Sequence, residues 1–368
     1  MENNAVLRAH KISNAIRKIN SIFESYGFQK IYLPMYEYYD VLKDAVRDFS
    51  DENIIRFIDR VTGKSMVLRP DFTPQVCRSV ANYLDSTPMP VRLYYNGRVF
   101  RNVNINQGLK SERYQCGGEI LGLSSFISEL EILSIINECI DALKLKNVHI
   151  IFGDMKLLNL IVSELPVSPD EITNVLMRKD INNLKRIVDK IDIDKNFKDL
   201  LLFLPLAIGN TDIIKDLAFK AKFNKAISMR LDELISFFDM LKNSIVPSYN
   251  IIFDASELRG FKYYTGINYD IVYNDRGALL GGGGRYDNLM NIFGYNISAC
   301  GLAFDIDEIL SCFEDRVLKK QIDYLIIGEQ NINKLFELRK NKFSTLYIEN
   351  ENELENFIKL YKFKNILK

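Results

Sequence analysis

Four consecutive glycines, Gly281–Gly284, run directly into Arg285-Tyr286-Asp287. Ordering glycine costs more backbone entropy than ordering any other residue, so such a run persists where the backbone must approach something closely. Two familiar uses are excluded. No Lys-Ser/Thr follows, as a Walker loop requires, and no βαβ context surrounds the run, as a dinucleotide fingerprint requires. The run points to the architecture of a site and not to a nucleotide. Just before it, Arg259 to Gly266 read RGFKYYTG, setting a guanidinium near the phenols of Tyr263 and Tyr264. A planar guanidinium suits a carboxylate, and with phenol donors it describes a pocket for a small zwitterion. Tyrosines at a strand edge usually serve packing, so each alone favours that reading.

Two further stretches carry the same chemistry. In Arg69-Pro-Asp-Phe-Thr73 a carboxylate and a hydroxyl stand two residues apart. On an extended backbone Asp71 and Thr73 share a face and could address one ammonium group; a turn with an Asp cap is the alternative. Between Val91 and Gly122, two strand-like runs flank a polar loop from Asn102 to Ser111, with Arg101, Gln115 and Glu119 on or beside the strands. Gln115 and Glu119 are four apart, which puts them on one strand face. A Glu turned inward asks for a cationic partner; an exposed sheet face is the alternative.

Composition narrows the class. At 368 residues the chain is long enough for two or three domains, and 47% hydrophobic with 26% charged residues fits a soluble globular protein. Lys plus Arg and Asp plus Glu are 48 each, so there is no basic excess to grip a nucleic-acid backbone. Five scattered cysteines without a C-x-x-C pair, and two histidines, give no basis for a structural zinc site. Buried reduced thiols are the expectation, with no metal and no cofactor. No apolar run approaches the ~20 residues that span a bilayer, and a polar Met1–Asn4 precedes an amphipathic stretch. We expect a cytoplasmic chain without membrane contact.

Periodicity predicts an opening helix through Val6–Phe23, a strand tendency from Phe28 to Tyr36, and β-rich runs at Met66–Leu68, Val91–Tyr95 and Arg113–Ile120. A long helix over Phe126–Leu145 and a strand at His149–Phe152 follow. From Met155 to Lys242 the pattern is helical throughout, with no convincing strand. Strands return at Asn250–Phe253, and Ile267–Tyr273 with Ala278–Leu280 form a hairpin about Asn274–Gly277. Short turns between sequential strands imply an antiparallel sheet. A charged helix ending near Lys320 is followed by a β-α-β-α pattern that ends in a helix over Asn352–Tyr361.

In order, these pieces resemble the class II histidyl-tRNA synthetase family over residues 5 to 312. LRPDFT resembles the family's LRPEGT, Phe100-Arg101 opens the second motif, RGFKYYTG matches RGLDYYT, and GGGGRYD matches GGRYD. Pro34 stands where the first motif places a dimer-interface proline. The resemblance implies an α+β fold, an antiparallel sheet flanked by helices with a helical insertion and a short C-terminal α/β segment. The expected division is 1–154 and 246–320 for the two parts of the core, 155–245 for the insertion and 321–368 for a truncated C-terminal piece. It also implies that Asp71, Thr73, Gln115, Glu119, Arg259, Tyr263 and Tyr264 contact a bound histidine.

The departures fall on the ATP half. Where a synthetase has the Glu of Phe-Arg-x-Glu, this chain has Val103; in GLAFDIDEIL, Glu308 aligns with the arginine that grips the γ-phosphate and Asp305 with a glycine. Exchanging a cation for an anion ~4 Å from a phosphate turns about 4 kcal/mol of attraction into repulsion at an effective dielectric near 20. Adenylation of histidine is therefore expected to be lost, leaving Arg101 as a vestigial anion site. The remaining 48 residues are too few for an anticodon-binding domain, which argues against tRNA recognition. With Asp59-Arg-Val-Thr-Gly63 ahead of LRPDFT and the YYTG variant, the chain is similar to the family of ATP phosphoribosyltransferase regulatory subunits. That likeness implies no catalysis of its own, self-association as a dimer, assembly with a short catalytic subunit, and L-histidine as effector. A divergent histidyl-tRNA synthetase and a histidine- or tRNA-sensing regulator are the alternatives.

Overall fold

The computed structural model describes residues 5–47, 51–83, 88–103, 110–257, 263–312 and 320–368. They fall into two compact units, one from Lys11 to Cys312 and a smaller one that includes the strands and helices from Lys320 onward.

The chain opens with α1 (Ala5–Ser25), then β1 (Gln29–Lys30). The strand tendency expected over Phe28–Tyr36 is realised only in β1 and at Tyr36, where β2 (Tyr36–Tyr38) begins. After α2 (Tyr39–Leu42), β3 (Arg56–Ile58) and β4 (Ser65–Leu68) join β2 in a small antiparallel sheet of order β2-β4-β3. The turn between β3 and β4 is DRVTG. Asp59 accepts from the Val61 amide at 3.1 Å and from the Thr62 hydroxyl at 2.5 Å, and Gly63 takes the left-handed conformation at φ 70° that closes it.

The larger sheet, among the described residues, has nine strands in the order β1-β5-β6-β12-β11-β10-β7-β9-β8. Its members are β5 (Val91–Phe100), β6 (Glu112–Leu121), β7 (Val148–Asp154), β8 (Ile208–Gly209), β9 (Asn250–Asp254), β10 (Ile267–Tyr273), β11 (Ala278–Arg285) and β12 (Ala299–Asp305). From β5 to β7 every pairing is antiparallel, as expected, but β1 with β5 and β7 with β9 are parallel. The β7–β9 pairing has a simple cause. A helical crossover separates the two strands, and such a connection returns the chain in the same direction.

That crossover consists of α5 (Met155–Ser163), α6 (Pro169–Met177), α7 (Ile181–Lys190), α8 (Lys195–Phe203), α9 (Ile213–Lys220) and α10 (Lys225–Ser244). Short acceptor side chains begin several of them: Asp154 caps α5, Asp180 caps α7, Asp194 caps α8 and Asn224 caps α10. The expectation of no strand in this region is corrected by β8, whose two residues pair antiparallel with β9. A two-residue strand is too short to leave a period in the sequence.

On one face of the sheet lies α4 (Ile127–Leu143), which buries Ile132, Leu133, Ile135, Ile136, Cys139 and Ile140. Against the other side, α3 (Thr73–Ala81) and α11 (Asn288–Asn291) enclose a core that includes Phe72, Val76, Tyr95, Leu121 and Tyr286. All five cysteines are free and buried. After α12 (Ile306–Ser311), the rest of the charged helix expected to reach Lys320 lies outside the described residues.

In the smaller unit, β13 (Lys320–Ile327) is flanked by β14 (Thr345–Ile348) and β15 (Tyr361–Leu367), all parallel, with α13 (Ile332–Lys340) and α14 (Leu354–Leu360) as crossovers. The expected β-α-β-α pattern gains a third strand. Tyr361, read as the end of a helix, instead starts β15, whose apolar Tyr361 and Phe363 are interleaved with lysines that weaken the strand signal.

Candidate functional site

A cavity of about 450 Å³ opens at the centre of the large sheet. Strands normally fill such a place with side chains, and glycine removes them. Gly281, Gly282 and Gly283 on β11 and Gly301 on β12 form part of its wall. A β-carbon at Gly283 would collide with the Gly301 carbonyl and come within 2.7 Å of the Tyr269 hydroxyl. The glycine run therefore lies within a strand, and what approaches it closely are the neighbouring strands and a tyrosine.

Of the residues expected to contact a ligand, Asp71, Thr73, Gln115, Glu119, Tyr263 and Tyr264 all line this one cavity, as does Arg101. Arg259 lies outside the described residues. Of the two readings of Asp71 and Thr73, the turn is the one that forms. β4 ends at Leu68, and Thr73 is the first residue of α3, so a turn and a helix start bring them together instead of an extended strand. Gln115 and Glu119 do share a face of β6, and Arg113, two residues earlier, lines the cavity with them.

Glu119 is 1% exposed and its carboxyl is ringed by hydroxyls. Thr73 donates to Oε1 at 2.7 Å, Tyr95 donates to the same oxygen at 3.0 Å, and Tyr286 donates to Oε2. The cationic partner expected for this Glu is not among these donors. Burial pushes its pKa up to about 8, against the hydrogen bonds from Tyr286, Thr73 and Tyr95. Nearby, Asp71 accepts from the Phe72 amide at 2.8 Å and from the Tyr263 hydroxyl at 3.3 Å. Burial raises its pKa too, while the Arg101 charge, the Phe72 amide, Tyr263 and Gln115 oppose that rise. Burial likewise raises the phenols of Tyr95, Tyr263, Tyr264, Tyr269 and Tyr286, which keeps them protonated as donors. Gln115 Oε1 is buried with no hydrogen-bond partner among the described residues.

Charged groups line the same wall, where Asp305 stands opposite Gln115 across β12 and β6. Arg101 donates through Nε to the Pro70 carbonyl at 2.9 Å, and Arg113 Nη1 stands 3.5 Å from Asp305 Oδ2. Asp305 also caps α12 by accepting from the Glu308 amide at 3.1 Å. Asp305 lines the cavity, whereas Glu308 and Val103 do not.

Several wall residues were not singled out from the sequence: Arg113, Met177, Tyr269, Asp270, Tyr286 and Asp305 as ligand-facing groups. For Arg113 the strand period was a usable signal, since it has the parity of Gln115 and Glu119. Tyr286 sat in the GGGGRYD peptide, where the glycines drew attention first. Its neighbour Arg285 serves structure, donating to both Glu129 oxygens at 2.7 and 2.6 Å, and Asp287 accepts from the Ala299 amide at 2.9 Å.

The histidyl-tRNA synthetase family model matches residues 5–309. The ATP phosphoribosyltransferase regulatory subunit of Geobacter metallireducens is 30% identical over 312 residues, 84% of this chain and 71% of the relative. That of Geobacter sulfurreducens is 30% identical over 330 residues, 88% and 75% of the two chains. The chain belongs to the histidyl-tRNA synthetase family, on the side of the ATP phosphoribosyltransferase regulatory subunits. The family also holds ligases: the histidine–tRNA ligase of Methanococcus vannielii is 30% identical over 337 residues, 88% of this chain and 75% of the relative. The family's fold extends along the chain. A Bacillus halodurans protein described as an ATP phosphoribosyltransferase regulatory subunit/histidyl-tRNA synthetase superposes with a TM-score of 0.83 at 20% identity, covering 98% of this chain and 94% of that one. The histidyl-tRNA synthetase of Nostoc sp. PCC 7120 gives 0.76 at 18% identity, covering 95% and 85%.

Proposed function

We propose that this chain is a regulatory subunit of ATP phosphoribosyltransferase, without catalysis of its own, that activates a short catalytic subunit in the first step of histidine biosynthesis and conveys feedback inhibition by L-histidine. The observation that carries the reading is the lining of the cavity. Asp71, Gln115, Glu119 and Tyr263 offer acceptors and donors matched to an ammonium and an imidazole. The unpartnered Gln115 Oε1 suits one more N–H from such a ligand. Opposite Gln115, Asp305 pairs with Arg113 and sets a carboxylate on the wall at a position where the resemblance to the synthetases expects a glycine. A carboxylate there repels what adenylation must hold.

The same reading makes residues 155–245 an insertion in a core of 1–154 and 246–320, with 321–368 as a reduced C-terminal piece. It includes a dimer through the region of Pro34. Tyr32, Met35 and Tyr36 are large apolar residues exposed beside it, Tyr32 at 83%, which supports a face covered by a second copy. No nucleic-acid partner is included, in keeping with a net charge of zero. Among the described residues no helix is long and apolar enough to cross a membrane, and a cytoplasmic location is part of the proposal.

The ligase relative from Methanococcus vannielii favours a second reading, a divergent histidyl-tRNA synthetase. Histidine-dependent exchange of pyrophosphate into ATP separates the two. The proposal expects none; exchange at a rate above background would establish the ligase instead.

A further inference from the structure

Among the described residues lining the cavity, Met177 alone comes from the helical crossover. It ends α6, is half-exposed, and sits just before an irregular turn into α7. The turn is a Schellman stop: the Lys179 amide donates to the Leu176 carbonyl at 2.9 Å and the Asp180 amide to the Val175 carbonyl at 3.1 Å. Lys179 occupies its left-handed position at φ 51°. Glycine is the residue that position favours, because a β-carbon there crowds the backbone. A lysine therefore needs a reason to be there, and its ammonium supplies one.

Lys179 Nζ forms an ion pair with Asp254 Oδ2. Asp254 is buried at the end of β9, and its Oδ1 accepts from the amide and hydroxyl of Ser256, each at 3.0 Å. A second tie runs beside it. β8 pairs with β9, and the Ala255 amide donates to the Ala207 carbonyl at 3.0 Å. The α6–α7 turn is thus fastened to the sheet strand that leads towards Tyr263 and Tyr264, and the fastening holds Met177 at the cavity.

We propose that Met177 is a ligand-contacting, specificity-determining residue of this cavity and that the Lys179–Asp254 ion pair positions it there. The inference rests on the reading of the cavity as an amino-acid site. An unbranched thioether supplies a polarisable wall for a planar ring while the polar groups opposite hold its nitrogens.

The test is calorimetric titration of the full chain with L-histidine, alongside thermal unfolding, for Met177→Ala, Lys179→Gly, Lys179→Arg and Glu119→Ala. Met177→Ala weakens histidine about five- to tenfold, the scale of one lost side-chain contact. Lys179→Gly weakens it comparably, and its Tm falls because the buried Asp254 loses its cation, a loss that glycine's fit to the left-handed position offsets only in part. Lys179→Arg keeps the ion pair and restores affinity to within about twofold. A merely structural lysine would lower Tm and leave affinity unchanged. If Glu119→Ala abolishes binding while Met177→Ala and Lys179→Gly bind like the unaltered chain, this inference alone falls. If the unaltered chain takes up no histidine, or Glu119→Ala binds as well as it does, the amino-acid reading falls and this inference with it.

Discussion

Gly301 pairs directly with Glu119 across β12 and β6, and the Glu119 carboxylate fills the space that a β-carbon at position 301 would occupy. The same device recurs around it. Gly117 leaves room for the Tyr95 hydroxyl, and Gly118 for the ring of Phe23. A site in the middle of a sheet is made by deleting side chains on some strands so that those of their neighbours can turn inward. Gly301→Ala should therefore push Glu119 off its three hydroxyl partners. The expected cost is about 1–3 kcal/mol in unfolding free energy, read by urea denaturation, together with loss of histidine binding.

Histidine affinity should pass through a maximum with pH. The Glu119 carboxyl titrates at about 8 in the ligand-free cavity, and a free imidazole at about 6.5. A hydrogen-bonded pair of the two holds one shared proton. Below ~6.5 a proton must be released on binding, and above ~8 one must be taken up, so affinity declines on both sides. Calorimetry from pH 5.5 to 9 checks this. Glu119→Gln should lessen the decline on the alkaline side, leaving the part due to the ligand's ammonium.

The same group makes the ligand-free chain pH-sensitive. A carboxyl raised from 4.5 to about 8 gives the folded state an extra bound proton between those values. Its contribution to stability is whole below the lower value and fades as pH rises through the upper one. Relative to Glu119→Gln, the unaltered chain should lose on the order of a few kcal/mol between pH 5 and pH 8. Parallel Tm-against-pH curves for the two proteins would contradict it.

Asp154 joins the helical crossover to the sheet. Its oxygens accept from Arg230 Nε at 3.0 Å and Nη2 at 2.6 Å, and Oδ1 also caps α5 through the Leu157 amide at 2.6 Å. Both partners are buried. Asp154→Ala leaves the buried Arg230 with Glu233 alone, at 2.6 Å from Nη1, and should cost about 3 kcal/mol. Denaturant unfolding measures the loss, and faster proteolysis within residues 155–244 would locate it.

Much of this was legible beforehand. Asp71, Gln115, Glu119, Tyr263 and Tyr264 were brought together by the resemblance to the synthetase family, since each alone reads as well as a turn, an exposed face or packing, and the structure gathers them in one cavity. The hairpin of β10 and β11 was readable from its turn. What stayed hidden was whatever sequence spacing does not encode. The parallel pairing of β7 with β9 depends on a crossover of six helices, β8 is two residues long, and Met177 reaches the cavity through a turn held by Lys179 and Asp254. The hydroxyl ring around Glu119 was missed because Tyr95 and Tyr286 read equally well as core, and they are core as well.

The central claim is regulation of a partner's catalysis. Its direct test is phosphoribosyl-ATP formation by the short catalytic subunit from the same source, measured with and without this chain and across a histidine titration. The account predicts strong activation that histidine reverses, with reversal weakened in Glu119→Ala. No activation by a folded chain that also fails to co-elute with the catalytic subunit would contradict it.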